Sequence, residues 1–187
     1  TCGSGALTFG GTVTNDGEIN GSSGTITFSG TTDNSGTITA SDGAVTFGGS
    51  LTNYGTITGG SGAVTFGETT NSGGITCSTT TTVFNDAVTV SAGGTIKGTE
   101  RTAEFKSTVT NNGTITGGSG AVTFNGNVTN DGEINGSSGT ITFSGTTDNS
   151  GTITASDGAV TVGGSLTNSG TNTGGRGAVK FSEKKNN

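Results

Sequence analysis

The stretch from Val45 to Phe66, VTFGGSLTNYGTITGGSGAVTF, contains the pattern that decides the fold. Apolar residues in it alternate with polar or small ones, as in VTF, LTN and TIT, and VTF returns after 19 residues. Alternation with a period of two is typical of a β-strand with one buried face, and β-branched residues favour strands. The stretch therefore predicts three short strands separated by glycine-containing corners, followed by the start of a second copy.

The same unit recurs through the whole chain of 187 residues. All nine phenylalanines occupy one position of it, Val162 fills one further slot, and successive slots are 18, 19 or 21 residues apart. An apolar content of 26% with 39 glycines would otherwise suggest a disordered linker, but a linker has no reason to keep this spacing. The residues predicted to form one internal column are Phe9, Phe28, Phe47, Phe66, Phe84, Phe105, Phe124, Phe143 and Phe181.

Three further positions of the unit are predicted to point inward. The first, two residues before the phenylalanine, comprises Leu7, Ile26, Val45, Val64, Thr82, Ala103, Val122, Ile141, Val160 and Val179. The second, four residues after it, comprises Val13, Thr32, Leu51, Thr70, Val88, Val109, Val128, Thr147, Leu166 and Lys185. The third comprises Ile19, Ile38, Ile57, Ile75, Ile96, Ile115, Ile134 and Ile153, and lapses at Asn172.

Glycine and asparagine mark the corner before the isoleucine strand. We expect the glycines to adopt a positive φ, and the asparagines to form stacked side-chain ladders with Asn71 one residue out of register. The glycines are Gly17, Gly36, Gly55, Gly74, Gly94, Gly113, Gly132, Gly151 and Gly170. The asparagines in register are Asn15, Asn34, Asn53, Asn111, Asn130, Asn149 and Asn168.

The predicted fold class is all-β: a single domain, 1–187, formed by a parallel β-solenoid of about ten 19-residue coils. One coil buries too few apolar side chains to offset the entropy of ordering its backbone, so the coils must stack. At ~4.8 Å per coil the rod is roughly 48 Å long. We expect right-handed coiling, the hand that parallel crossovers prefer.

Two segments depart from the repeat. The first, 76–107, includes a coil lengthened by two residues and carries Lys97, Glu100, Arg101, Glu104 and Lys106. It is either a solvated bulge with scattered ion pairs or a docking patch. The second is the lysine-rich terminal coil 177–187, with lysines at positions 180, 184 and 185. It is either a cap that blocks edge pairing or an interface for an acidic neighbour.

The two cysteines fall at the same corner of the repeat, four coils apart. A disulfide requires Cα atoms within ~7 Å, whereas four coils span about 19 Å, so Cys2 and Cys77 cannot join within one rod. Either both are unpaired, or Cys2 of one molecule bonds Cys77 of a neighbour.

Composition argues against several functional classes. Histidine is absent, and Asp16/Glu18 and Asp131/Glu133 are the only regular acidic pairs. We therefore expect no enzyme activity, no catalytic residues, no metal site and no cofactor. Thirteen acidic against seven basic residues and one tyrosine argue against nucleic-acid binding. No apolar run is long enough for a membrane span, and the first residue is not Met, so we expect a mature or excised chain.

Residues 13–46 are identical to 128–161, six coils later, which suits repeated presentation of one surface rather than an active site. The GAVTF…LTNxGTIT rhythm resembles the β-solenoid repeats of filamentous haemagglutinin-like proteins and autotransporter passenger regions. That resemblance implies an extracellular or cell-surface protein with a structural or adhesive role. We expect a rigid rod that associates with copies of itself, end to end or laterally, into filaments or a surface layer, because open strand edges invite pairing.

Two alternatives remain. The chain could be a fragment of a surface adhesin. It also resembles β-solenoid ice-binding proteins, which present Thr-x-Thr rows; glutamate, lysine and asparagine interrupt the rows in this sequence. The candidate ice-binding residues are Thr37, Thr39, Thr56, Thr58, Thr114, Thr116, Thr152 and Thr154.

Overall fold

The computed structural model describes residues 3–181. In this range it consists of 28 short strands and contains no helix. Each strand pairs in parallel with the equivalent strand of a neighbouring coil, which confirms the predicted parallel β-solenoid. The hand of the coiling stays a prediction.

Nine complete coils lie in the described range, and the first strand of another follows them. Numbered from the N-terminus, coils 1 to 9 comprise residues 7–25, 26–44, 45–63, 64–81, 82–102, 103–121, 122–140, 141–159 and 160–178.

Three sheets run along the described part of the rod. The Phe sheet comprises Leu7–Phe9, Ile26–Phe28, Val45–Phe47, Val64–Phe66, Thr82–Phe84, Ala103–Phe105, Val122–Phe124, Ile141–Phe143, Val160–Val162 and Val179–Phe181. The Asn sheet comprises Val13–Asn15, Thr32–Asn34, Leu51–Asn53, Thr69–Asn71, Val88–Val90, Val109–Asn111, Val128–Asn130, Thr147–Asn149 and Leu166–Asn168. The Ile sheet comprises Glu18–Gly21, Thr37–Ala40, Thr56–Thr58, Gly74–Thr76, Thr95–Lys97, Thr114–Thr116, Glu133–Asn135, Thr152–Ala155 and Thr171–Gly174.

The phenylalanines form one internal column. Ring centroids of consecutive members from Phe9 to Phe143 are 4.5–5.2 Å apart, and their planes lie within 16° of each other. The seven from Phe28 to Phe143 are at most 1% exposed. Val162 continues the column as a buried aliphatic residue, whereas Phe181 in the last described strand is 59% exposed. Because the rings stack offset along the rod axis, each coil buries a face of its neighbour's ring.

The predicted second inward position is wrong in coil 4. Leu51 pairs with Thr69, which is buried, whereas Thr70 is exposed. Coil 4 has 18 residues, and the missing one lies in the corner between Phe66 and Thr69, so everything after that corner is shifted by one.

The same shift corrects two further expectations. Asn71 pairs directly with Asn53 and is therefore in register. Gly74 pairs with Thr56 as the first residue of a strand, so Gly73 is the glycine of that corner.

The corner glycines do not adopt the positive φ that we expected. Within residues 3–181 the one glycine with positive φ is Gly93, at 84°, in the two-residue insertion between Val90 and Thr95. The corner glycines are required by stacking instead: a Cβ on Gly36 would lie 2.0 Å from the Gly17 carbonyl oxygen of the coil below. The close approach of successive backbones excludes a side chain there.

The asparagines form the predicted ladder, in two segments. Each Nδ2 donates to the Oδ1 of the asparagine one coil later at 2.7–2.8 Å, and the donors are Asn15, Asn34, Asn53, Asn111, Asn130 and Asn149. Most also donate to a backbone carbonyl in their own corner, as Asn34 does to Gly36 at 3.2 Å. Buried amides are thereby satisfied in a core that has few apolar residues. At the lapse of the isoleucine ladder, Asn172 accepts a bond from Asn149 at 3.1 Å.

Candidate functional site

The outward positions of the Ile sheet form a regular array of two columns. In each strand the central residue points inward and its two neighbours point outward, so the neighbours line up along the rod. Of the 18 outward positions in nine strands, 12 hold threonine. This threonine array comprises Thr37, Thr39, Thr56, Thr58, Thr76, Thr95, Thr114, Thr116, Thr152, Thr154, Thr171 and Thr173.

The structure brings the predicted threonines onto this single face but not into one unbroken row. Thr37 pairs with Thr56 and Thr39 with Thr58, one coil apart, at the strand spacing of ~4.8 Å. Thr114 and Thr116 stand in coil 6 between neighbours that include Lys97 and Glu133.

The sequence prediction missed Thr76, Thr95, Thr171 and Thr173. Each lies beside the inward residue of its strand, but Gly74, Lys97 or Asn172 replaces one residue of the Thr-Ile-Thr triplet that the predicted threonines share. The position relative to the inward residue is a better signal than the triplet.

The array is polar and turned to solvent. Within residues 3–181, the threonine hydroxyls that form hydrogen bonds with the protein are those of Thr69, Thr79 and Thr99 and those next to Ser78. No threonine hydroxyl of the array forms one. Exposed Glu18, Lys97 and Glu133 interrupt it. The array can therefore donate and accept hydrogen bonds on a flat surface. Strongly hydrated charged side chains interrupt that surface at three positions along the rod.

The other two sheets present one outward column each. On the Asn sheet the column consists of the central residues of the strands. These are threonines, such as Thr52 and Thr129, except at Asp33 and Asp148. On the Phe sheet it is threonine except at Val83, Glu104 and Lys180. All three faces are thus polar, which limits unspecific apolar association.

The charges of 76–107 are distributed around the rod rather than gathered in one patch. Lys97 lies on the Ile sheet, Glu104 on the Phe sheet and Lys106 at the corner that follows it. Glu104 accepts a hydrogen bond from Asn125 Nδ2 at 2.8 Å. The expected ion pairs are not found: the salt bridge seen within residues 3–181 joins Arg176 and Asp157, elsewhere. Lys97 and Glu104 thus lie on different sheets of the rod.

Cys77 is buried at the corner between the Ile and Phe sheets, with 3% of its surface exposed. Burial raises the pKa of its thiol to about 12, and a hydrogen bond with Thr82 opposes this only in part. A protonated, buried thiol is a poor nucleophile. Ala40 and Ala155 occupy the equivalent position in their coils and are also buried. This indicates that the position accepts only small inward side chains.

Cys2 lies outside the described residues, as do positions 184 and 185. The intermolecular Cys2–Cys77 disulfide stays a prediction, and it requires the corner of Cys77 to open. Lys180, in the last described strand, is exposed.

Two open grooves indent the described surface. The larger, about 470 Å³, lies where coil 4 is one residue short, and is lined by Gly48, Gly49, Ser50, Glu68, Asp86 and Ala87. Ser50 donates to Glu68 at 2.9 Å. The smaller, about 170 Å³, lies on the Asn sheet beside Asp131 and Asp148. Both have acidic walls, and in the smaller groove, as in the larger, a serine hydroxyl donates to a carboxylate, here Ser150 to Asp131.

Within residues 3–181 no three histidine, cysteine or acidic side chains gather in a metal-binding arrangement. That part of the chain also has no helix with the length and apolar character needed to cross a membrane. Comparison with protein-family models, curated proteins and solved structures finds no match. The chain is a β-solenoid repeat protein by its structure, and its resemblance to haemagglutinin-like and autotransporter repeats stays a prediction.

Proposed function

We propose that this chain is a non-enzymatic, extracellular structural protein that associates with copies of itself into filaments or a surface layer. The observation that carries the proposal is the continuity of the stack. Three parallel sheets, the phenylalanine column and the asparagine ladders run along the described rod, and no part of it is specialised around one deep pocket.

Repetition of the surface supports association. Because residues 13–46 recur unchanged as 128–161, the same outward pattern is presented twice, six coils or about 29 Å apart along the rod. A neighbouring rod that packs sideways against one copy of this surface meets the same groups at the other copy. Once the first weak contact has formed, the second forms between molecules that are already joined, at a high effective concentration.

Negative-stain electron microscopy of the purified chain tests the proposal. We expect filaments or sheets at high protein concentration, and their loss when lysine replaces threonine at two places on the outward column of the Asn sheet, as in T52K with T129K. The matched control is T12K with T31K, which adds the same charge at exposed corner positions. Particles that stay single at all concentrations, with a monomer mass in sedimentation velocity, would refute it.

Ice binding is a second candidate, and the threonine array is the observation that favours it. Its rows repeat at ~4.8 Å along the rod and roughly 6.6 Å across the strand, and its hydroxyls are free of protein partners. Thermal hysteresis in a freezing assay tests this function. We expect activity that Thr56→Lys removes and that Thr89→Lys, on the Asn sheet, leaves unchanged. Freezing without hysteresis would exclude it and would not affect the assembly proposal.

A further inference from the structure

The asparagine ladder is broken at one place, between coils 4 and 6. Asn15 to Asn71 form one continuous segment and Asn111 to Asn168 another, each with three side-chain bonds. Val90 occupies the intervening position, paired with Asn71 on one side and Asn111 on the other.

The break affects its two sides differently. On the side of coil 4, Asn71 Nδ2 loses only its side-chain acceptor, because it keeps the backbone bonds that the other ladder asparagines also make, to Gly73 at 3.1 Å and to Thr95 at 2.9 Å. On the side of coil 6, Asn111 Oδ1 is buried and has no partner. In the regular coils this oxygen accepts from the asparagine of the coil below, but Val90 has no donor to offer. An unsatisfied buried acceptor is a destabilising feature, and it lies at the contact of coil 5 with coil 6.

Two backbone features weaken the same contact. The bond from Thr82 N to the Thr102 carbonyl oxygen is 3.5 Å long, whereas the equivalent bonds of other coils are 2.8–3.1 Å. The corner glycine of a regular coil donates to the asparagine carbonyl below, as Gly132 does to Asn111, but no such bond is found for Gly113 in the described residues. The Val90 carbonyl oxygen below it still accepts from Asn112 N at 2.8 Å, so this corner keeps one of the two bonds that a regular corner makes.

At one inward position the side chains are also smallest here. The first inward position of the Phe sheet holds Thr82 in coil 5 and Ala103 in coil 6, where most other coils have valine, leucine or isoleucine. Both side chains are buried, so the smaller volumes give fewer van der Waals contacts at this position than the larger residues give in other coils.

We propose that the contact between coils 5 and 6 is a built-in seam, at which the rod opens into two units that unfold separately. The stability of a solenoid is a sum over coils and over contacts between adjacent coils, so one weak contact divides the cooperative stack. The N-terminal unit is 7–102 and the C-terminal unit begins at residue 103.

The C-terminal unit opens first. Its isoleucine ladder ends at Asn172 and its column has Val162 where the N-terminal unit has rings from Phe9 to Phe84. Tyr54, the one tyrosine of the chain, lies in coil 3, so its fluorescence reports on the N-terminal unit alone.

Denaturant unfolding of the full chain, followed by far-ultraviolet circular dichroism and by Tyr54 fluorescence, tests the seam. We expect the dichroism to show a first transition at a denaturant concentration that leaves the fluorescence unchanged. V90N, which restores the missing donor, should bring the two midpoints together. N130V, which places the same break inside the C-terminal unit, should lower the first midpoint and leave that of Tyr54 where it is.

Hydrogen exchange of the wild-type chain gives a readout that needs no variant. Amides of 103–162 should exchange about tenfold faster than those of 26–84 at low denaturant, the change that an unsatisfied buried group produces. Equal protection of both units, or coincident dichroism and fluorescence transitions in the wild type, would overturn the proposal.

Discussion

At the scale of single residues, the described core combines apolar columns with buried polar side chains, and burying a polar side chain is favourable only when it is hydrogen-bonded. In the described residues three side chains fail this condition, namely Asn111, Thr32 and Thr147. The hydroxyls of Thr32 and Thr147, six coils apart in the identical segments, are buried without a partner, whereas the Thr69 hydroxyl at the same slot donates to the Gly67 carbonyl oxygen at 3.0 Å.

Thr32→Val should therefore raise the free energy of unfolding by about 1 kcal/mol, because it removes a buried hydroxyl that has no partner and keeps the side-chain shape. Thr69→Val is the matched control and should lower the stability by a similar amount, since it leaves the Gly67 carbonyl oxygen without its donor. Urea midpoints of the two variants give the comparison. A loss of stability in Thr32→Val would contradict this explanation.

The corner glycines provide a second matched pair. Gly36→Ala would place a methyl group 2.0 Å from the Gly17 carbonyl oxygen and should cost more than about 2 kcal/mol, whereas Gly17 has open space around its Cα. Gly17→Ala should change stability by no more than about 1 kcal/mol. Thermal melting of both variants tests whether stacking, rather than φ, requires the glycines; equal losses would argue against stacking.

The buried thiol predicts a dependence of stability on alkaline pH. Its pKa is raised in the folded chain from 9.0 to about 12, so the folded state holds its proton while the unfolded state releases it. The stability from this group is complete below pH 9 and is lost as the pH rises from 9 towards 12. In a C2S background, the difference in urea midpoint between Cys77 and Cys77→Ala chains should stay constant below pH 9 and shrink above it. A difference that does not change with pH would mean that the thiol is not buried.

At the scale of coils and sheets, the sequence was sufficient to predict an inward column wherever the same type of residue recurs at the same position of the repeat. The phenylalanine and isoleucine columns follow from spacing alone, because side-chain alternation in a strand fixes which residues share a face. Spacing could not locate the one-residue deletion of coil 4, since an 18-residue interval does not say at which corner the residue is missing. It also could not show why Gly36 must be glycine, because the clash comes from a residue 19 positions away.

The lapse at Asn172 allows a test at the level of one sheet. Asn172→Ile would continue the isoleucine column into coil 9, and Asn149 would keep its bonds to Gly151, Asn168 and Thr171. We expect a gain of about 1–2 kcal/mol for the C-terminal coils. Ile57→Asn, the reverse change in coil 3, should be destabilising by several times that amount, because Ile57 is 2% exposed. Hydrogen exchange of 160–174 measures the first variant and urea unfolding the second; no added protection in coil 9 would show that Asn172 is not a defect.

At the scale of the whole molecule, the structure is a three-sided rod whose outside is almost uniformly polar and whose surface pattern repeats after six coils. That design separates two tasks: the inward columns hold the coils together, and the outward columns are free to carry threonine arrays or charges without affecting the core. The sequence indicated eight of the twelve threonines of the array, but their common face depends on the register of every coil between them.

That register can be measured by directed cross-linking. Thr46 and Thr65 pair directly on the outer face of the Phe sheet, and Cα atoms one strand apart at ~4.8 Å suit a disulfide. In a chain with C2S and C77A, we expect T46C with T65C to form an intramolecular bridge on mild oxidation, detected by mass spectrometry of the non-reduced monomer. T46C with T123C, four coils apart at about 19 Å, should stay reduced. Failure of the first pair to bridge, or equal bridging of both pairs, would contradict a rod of coils stacked in this register.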